Sequence, residues 1–431
     1  MITRQLLQFI DKCPTAFHAV SAIEEILQDH GFIKLCEEES YSLHPNQKYY
    51  ITRNGSSLIA FSIPAQTPTG FMICASHSDS PTFKLKPNPT LSTIGKYVRL
   101  NTERYGGMIM SSWFDRPLSV AGRITYETKE GIKTVNVNID RDLAVIPNVA
   151  IHMNRNINSG YEYNARIDTL PLVSHLSSET SILSIISQEL GIEESSVLGH
   201  DLYLYCRQPG TVFGADEAFI LAPRIDNLEC AWSSLMGFLE ADATSAIPLY
   251  AVFDNEETGS ESKQGAASDF LSLTIDRILA SLVSADQKGA ILSRSFMLSA
   301  DNAHAIHPNR PELSDAANAP HMNEGIVIKY NASQRYTTDG VSASLFKAIC
   351  KKANVPTQVF ANRSDMAGGS TLGTIANTKV SVKTVDIGLA QLAMHSACET
   401  AGAYDAEHMI KACRTFFSST IEIHDNTIVL S

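Results

Sequence analysis

The chain has no uninterrupted apolar stretch long enough to cross a bilayer, for which about 20 residues are needed. No membrane partner is therefore expected. Eight cysteines stand at positions 13, 36, 74, 206, 230, 350, 398 and 413, yet none forms a CxxC pair, which argues against a zinc ribbon or a dithiol redox motif. Several, such as Cys74 and Cys230, sit in apolar settings and read as small buried hydrophobes. Basic charge is in short supply: 34 Lys and Arg against 46 Asp and Glu leave a formal net charge of −12. That balance is a poor complement to nucleic acid or an anionic membrane. Internal repeats, low-complexity tracts and long linkers are missing too. Near the start, Leu6-Leu7-Gln8-Phe9-Ile10 is too short for a secretory signal core and runs into Asp11 and Lys12, so a cytoplasmic location is expected.

What remains is an ordinary globular composition, 44% hydrophobic and 19% charged, in 431 residues. That length exceeds the usual single domain and predicts two. Phe17, Val20, Ile23, Ile26 and Leu27 recur at helical spacing before Gly31. Leu58–Pro64 and Gly70–Ala75 read as strands. From about residue 88 the texture turns β-rich, with strands at Tyr97–Leu100, Val120–Thr128 and Ile132–Ile139, the last two joined by Lys129-Glu130-Gly131. One helix near Ser181–Leu190 interrupts it. After about Leu204, helices and strands alternate: a stripe from Leu228 to Leu239, strand Ile247–Phe253, a helix around 268–283, strands Phe296–Ala300 and Ile326–Lys329, helix 341–352, strand Val380–Ile387 and a helix near 404–418. Strands separated by helices predict a mostly parallel sheet with helices on both faces. The expected organisation is an α/β domain made of residues 1–87 and 207–431, with a β-rich domain, residues 88–206, inserted into it.

The polar residues just past the predicted strand ends are unusual. Val252-Phe253-Asp254-Asn255-Glu256-Glu257-Thr258-Gly259-Ser260 puts two adjacent glutamates at the carboxyl edge of a sheet, where open α/β folds place ligands. His77 and Asp79 follow the strand ending at Ala75, Asp226 precedes a helix, Asp301 follows Phe296–Ala300, and His395 comes shortly after Val380–Ile387. Each has a plain structural reading when taken singly. A strand-end histidine is more often a structural hydrogen-bonder than a ligand, and Asp226 alone could be an N-cap. Together, two imidazoles and several carboxylates at one sheet edge make a nitrogen/oxygen metal site suited to zinc, manganese or cobalt. A bridging Asp226 would serve two cations, with His77 and Asp301 completing one site and Glu257 and His395 the other. Two such cations would acidify a shared water. Glu256 is then free to move the proton, and Asp79, two residues from His77, can fix that imidazole's tautomer. The chemistry of such a site is hydrolysis of an amide or ester.

These segments resemble the aspartyl aminopeptidase and vacuolar aminopeptidase I family of dinuclear zinc exopeptidases. The resemblance rests on Ala75-Ser76-His77-Ser78-Asp79-Ser80-Pro81, Pro223-Arg224-Ile225-Asp226-Asn227, Asp254 to Ser260, Ser299-Ala300-Asp301 with His304-Ala305-Ile306-His307-Pro308-Asn309, and Gln391-Leu392-Ala393-Met394-His395-Ser396. It extends to Cys13-Pro14-Thr15-Ala16-Phe17-His18 and Ile146-Pro147-Asn148-Val149-Ala150-Ile151-His152. It implies a three-layer α/β zinc-peptidase domain with an inserted β-rich domain that dimerises, the dimers building a tetrahedral dodecamer. It implies two Zn2+ per subunit, with Co2+ or Mn2+ able to substitute, and removal of N-terminal residues, acidic ones among them, from short peptides. It also implies that His152 reaches a partner subunit's active site to stabilise the developing oxyanion, and that Lys329 and Tyr336 lie near the substrate. The pattern departs from the family's at Thr258, Asn302, Arg310 and Ala367-Gly368, and at Cys398, where an arginine is usual after Met-His-Ser. None of these removes a proposed ligand, but the missing arginine weakens an inference of acidic preference. Two alternatives stand beside the aminopeptidase. A related N-deacylase or carboxypeptidase would differ in its response to blocked N-termini, and a non-catalytic shell-forming protein would lack a ligand or the base.

Overall fold

The structure is a computed structural model that describes residues 2–92, 96–175 and 181–431. Its largest sheet has nine strands, in the spatial order Ile33–Leu35, Lys48–Arg53, Ser57–Ser62, Ile247–Phe253, Phe71–His77, Phe296–Ala300, Lys383–Gly388, Ile326–Tyr330, Thr357–Ala361. The run Phe71-Met72-Ile73-Cys74-Ala75 is apolar without alternation because both of its faces are covered. Met72, Cys74, Tyr250, Val252 and Leu298 point into a core shared with helices Ile225–Leu239, Gly340–Ala353 and Asp405–Phe417. Their neighbours Phe71, Ile73, Leu249, Ala251 and Met297 point the other way, onto helices Phe270–Leu282 and Leu372–Lys379. The result is a three-layer α/β arrangement.

The four central strands, Ile247–Phe253 through Lys383–Gly388, pair in parallel, as the alternation predicts. The flanks do not. Lys48–Arg53 and Ser57–Ser62 form an antiparallel hairpin because the three residues between them, with Asn54 and Gly55 both at positive φ, turn the chain back too tightly for a crossover. Ile326–Tyr330 also runs antiparallel to Lys383–Gly388, so the sheet is mixed.

A second sheet is wholly antiparallel, in the order Gly131–Asn138, Leu118–Thr128, Val197–Cys206, Thr82–Ser92, Tyr97–Tyr105, Leu172–His175. Helix Ile182–Leu190 contributes Ile182, Ile185 and Ile186 to its core. Strand Thr82–Ser92 begins upstream of the texture change near residue 88. Pro87 and Pro89 break its pattern, and the pairing is irregular between Leu85 and Thr90, as prolines in strands require.

A third sheet was not legible in the sequence. Its five short strands are Thr211–Phe213, Phe219–Ala222, Glu399–Gly402, Ala390–Leu392 and Ala303–His304. Each is too short to show periodicity, yet together they join the segments carrying Asp226, His395 and Asp301. No helix among the described residues is long and apolar enough to cross a membrane.

Candidate metal centre

Register brings the strand-end residues together. Ala75 pairs with both Ala251 and Ser299 in parallel ladders, so continuing each strand by two residues sets His77 level with Phe253 and Asp301. Ser78 N–H donates to the Phe253 carbonyl at 2.8 Å and holds the two strand ends side by side. On the other side, Ala222 pairs with Glu399, which brings the Arg224-Ile225-Asp226 turn against the loop containing His395. Gly388 is needed where the strand Lys383–Gly388 passes Asp301, because a Cβ there would lie 1.9 Å from the Asp301 carbonyl oxygen.

The side chains converge on Asp226. Its Oδ1 lies 3.4 Å from His77 Nε2, and its Oδ2 lies 3.5 Å from His395 Nε2. His77 Nε2 is also 3.6 Å from Asp301 Oδ1, and His395 Nε2 is 3.3 Å from Glu257 Oε2. Donors that share one ion at about 2.1 Å can be no more than about 4.2 Å apart, and each of these four distances is shorter than that. His77, Asp226 and Asp301 form one group able to hold a cation, and Asp226, Glu257 and His395 form another. His77, Glu256 and Glu257 make a third combination, with Glu256 Oε2 4.0 Å from His77 Nε2. The two glutamates differ in access: the Glu256 side chain is 16% exposed and that of Glu257 is 4%. Asp226 does not act as an N-cap. Arg224 occupies that position, and Asp226 has non-helical backbone angles and turns its carboxylate to the two imidazoles.

The electrostatics are those of a site short of positive charge. Burial pushes Glu256 up to about 8 and Glu257 well above the usual carboxylate range. Burial would raise Asp226 too, but the imidazoles of His395 and His77, each within 3.5 Å of one of its oxygens, hold it low. Burial opposes charge on the imidazoles, yet their carboxylate partners raise His395 to about 9 and His77 well above 6.5. This pairing of acidic side chains with two imidazoles favours positive charge at their centre, which a divalent ion bound between them would supply. Asp226 Oδ1 and Glu257 Oε1 are buried with no hydrogen-bond partner among the described residues. Buried carboxylate oxygens are costly to leave unpaired, so the donor set fits a metal.

Surrounding residues hold this arrangement. Asp79 Oδ1 accepts from Glu256 N–H at 3.1 Å, and its Oδ2 accepts from Glu257 N–H at 3.2 Å and from the Tyr105 hydroxyl at 2.7 Å. His77 Nδ1 lies 3.1 Å from the Asp79 carbonyl oxygen and 3.4 Å from its Oδ1, which directs Nε2 inward. Two supporting residues escaped sequence reasoning. Tyr105 also accepts from Asn255 Nδ2 at 2.8 Å. Glu399 is fully buried; its Oε2 accepts from Asp226 N–H at 2.9 Å and its Oε1 from His395 N–H at 2.7 Å. Burial pushes Glu399 up to about 8, with the Asp226 charge adding to it. The available signal was a glutamate opening the strand-like Glu399-Thr400-Ala401-Gly402, a position where a buried charge needs partners.

The other predicted residues stand outside the donor set. Lys329 is buried, with Nζ 2.8 Å from the Asn302 carbonyl oxygen and 3.6 Å from Asp301 Oδ2. Its ammonium stands 5.6 Å from the ring centre of the buried Tyr336. His152 sits on an exposed turn, and among the described residues no hydrogen bond or ion pair links it to this centre.

Comparison with known proteins agrees with this geometry. The family described as aminopeptidase I zinc metalloprotease (M18) matches residues 9–417. The "Probable M18 family aminopeptidase 2" of Clostridium novyi (strain NT) is 43% identical over 424 residues, covering 96% of this chain and 98% of the relative. A chain in the cryo-EM structure of the Ape4 and Nbr1 complex superposes with a TM-score of 0.94 at 35% identity, covering 97% of this chain and 85% of that one. The S. cerevisiae mApe1 dodecamer gives a TM-score of 0.85 at 27% identity, with 96% of each chain covered. A histidine–carboxylate centre at the sheet edge and a family match over nearly the whole length point the same way: this chain belongs to the M18 family of zinc metalloproteases and is a metal-dependent aminopeptidase.

Proposed function

We propose that the centre holds two divalent cations and uses Glu256 as the proton carrier in removing the first residue of short peptides. The observation that carries this reading is the division of Asp226, one oxygen toward His77 and the other toward His395, each imidazole with a further carboxylate of its own. His77 and Asp301 complete one site, Glu257 and His395 the other, and zinc is the expected metal, with Co2+ or Mn2+ able to substitute. When bound, the cations would polarise the scissile carbonyl and ease deprotonation of the attacking water. Glu256, the more exposed of the glutamate pair, takes that proton and passes it to the leaving amine. Asp79 fixes the His77 tautomer and holds the backbone of both glutamates. The substrate's free α-amino group, itself a cation, is attracted to this acidic wall. Lys329 stands beside Asp301, and its ammonium faces the Tyr336 ring. An acidic first side chain would have to draw the Lys329 ammonium away from the Asn302 carbonyl.

Residues 88–206 are proposed as an inserted domain that dimerises, with such dimers assembling into a dodecamer. Val149, Ile151 and Met153 are 52%, 50% and 82% exposed around His152, an apolar turn that favours a covering partner. In that assembly His152 serves a neighbouring subunit's centre. Chelation should abolish hydrolysis of aminoacyl-anilides, and Zn2+, Co2+ or Mn2+ should restore it; activity that survives thorough chelation would refute the proposal. N-acetylated peptides should be left intact, whereas a deacylase would cleave them.

A further inference from the structure

The absence of a CxxC motif conceals a thiol pair made in space. Cys206 ends the strand Val197–Cys206, and Cys398 lies between His395 and Glu399; their sulfurs are 3.7 Å apart. Both side chains are buried, whereas Cys36 is exposed. Arg116 Nη1 approaches Cys398 Sγ at 3.6 Å and donates to Gln208 Oε1 at 2.8 Å, so a guanidinium stands beside the pair. A cation next to a thiol favours the reactive thiolate. The S–H···S contact with Cys398 lowers Cys206 most, and Arg116 adds to it. Cys206 also lines a cavity shared with Asp79, Asp226, Ala397 and Glu399, beside the metal centre.

We propose that Cys206 and Cys398 form an oxidisable pair, converted by a hydroperoxide into a reversible disulfide that disturbs the His395 side of the metal centre. The Cys206 thiolate attacks one peroxide oxygen, the O–O bond breaks, and the departing hydroxide takes up a proton to give water (an alcohol, from an alkyl peroxide) and a sulfenic acid on Cys206. Cys398 Sγ then attacks that sulfur, the S–O bond breaks, and the leaving hydroxide takes the Cys398 proton as a second water. Two thiols lose two electrons and the peroxide gains them. Forming a bond of about 2.05 Å draws the sulfurs about 1.7 Å closer and pulls on the short loop from His395 to Glu399. That loop has little slack. His395 has a positive φ of 68°, its N–H is held by Glu399, its carbonyl by Ile109 N–H at 2.9 Å, and its Nδ1 by the Gly107 carbonyl at 2.9 Å.

The test is to treat the zinc-loaded enzyme with hydrogen peroxide, map disulfides by non-reducing peptide mass spectrometry, and follow activity and zinc content. A Cys206–Cys398 cross-link should appear as activity falls several-fold, and dithiothreitol should reverse both. Cys206→Ser and Cys398→Ser should each prevent the cross-link and keep activity through the same treatment. The proposal fails if Cys36 oxidises while no such cross-link forms, if the cross-link forms with activity unchanged, or if the serine variants lose activity equally. The consequence for activity rests on the aminopeptidase reading, but the cross-link does not. A reduced enzyme without peptidase activity would count against that reading alone.

Discussion

Glu399→Gln isolates the contribution of a residue that touches neither water nor substrate in this account. Glu399 offers one carboxylate oxygen to Asp226 N–H and the other to His395 N–H, at 2.9 and 2.7 Å. Glutamine has the same shape but one acceptor, so its amide must turn an N–H against one of those backbone N–H groups. Leaving one of those buried N–H groups without an acceptor costs about 1–3 kcal/mol. If that cost falls on the metal-bound state, affinity weakens about 5- to 150-fold, which brackets the roughly 10–100-fold seen when residues supporting metal ligands are replaced. The loss should be greatest for the cation shared by Asp226, Glu257 and His395. Titration with zinc buffered by a competing chelator, read by metal content and by hydrolysis of an aminoacyl-anilide, measures it. Turnover at saturating zinc should recover most of its value. A variant that binds two zinc ions with wild-type affinity would refute the positioning argument, and so would one that loses turnover with no change in affinity.

Three other perturbations test separate links. Asp79→Asn keeps one acceptor but sets an amide against Glu257 N–H and the Tyr105 hydroxyl, so kcat should fall about 10–100-fold with the protein folded, as checked by kinetics beside circular dichroism. Gly388→Ala drives a methyl group into the Asp301 carbonyl and should destabilise the fold by about 1–3 kcal/mol, seen as a lower denaturant midpoint. An unchanged midpoint would mean that the strand shifts freely. His18 is held down to about 4 by burial first and by Arg224 second. The folded state therefore binds fewer protons there than the unfolded chain, and the contribution to stability is full above about 6.5 and lost as pH falls toward about 4. His18→Gln should flatten the fall in melting temperature between those two pH values, and an identical fall in both proteins would dismiss this source.

Much of the fold was legible because its core strands are unambiguous. Ile247–Phe253 and Phe296–Ala300 are short apolar runs bounded by polar residues, and the structure forms strands over those same spans. The clustering of His77, Asp226, Glu257, Asp301 and His395 was legible because each follows or borders such a run, and parallel register turns strand-end position into proximity. Glu399 and the five-stranded sheet were not legible. Segments such as Ala303–His304 and Ala390–Leu392 are too short for periodicity, and they gain order only from pairing with each other. The three antiparallel pairings of this sheet were hidden for a related reason, since strand direction is set by connections such as Asn54-Gly55-Ser56 and not by the strands themselves. Lys329 read as a charge available to substrate, and its burial against Asn302 and Asp301 depends on contacts that a linear pattern does not carry.

Metal content measured beside turnover decides how Glu256 and Glu257 divide metal binding and proton transfer. Wild-type enzyme and Glu256→Gln should both carry two zinc ions per chain, while turnover of the variant falls about 10²- to 10⁴-fold, as expected on losing the group that moves the proton. A variant that loses zinc in step with activity would make Glu256 a ligand and overturn the assignment.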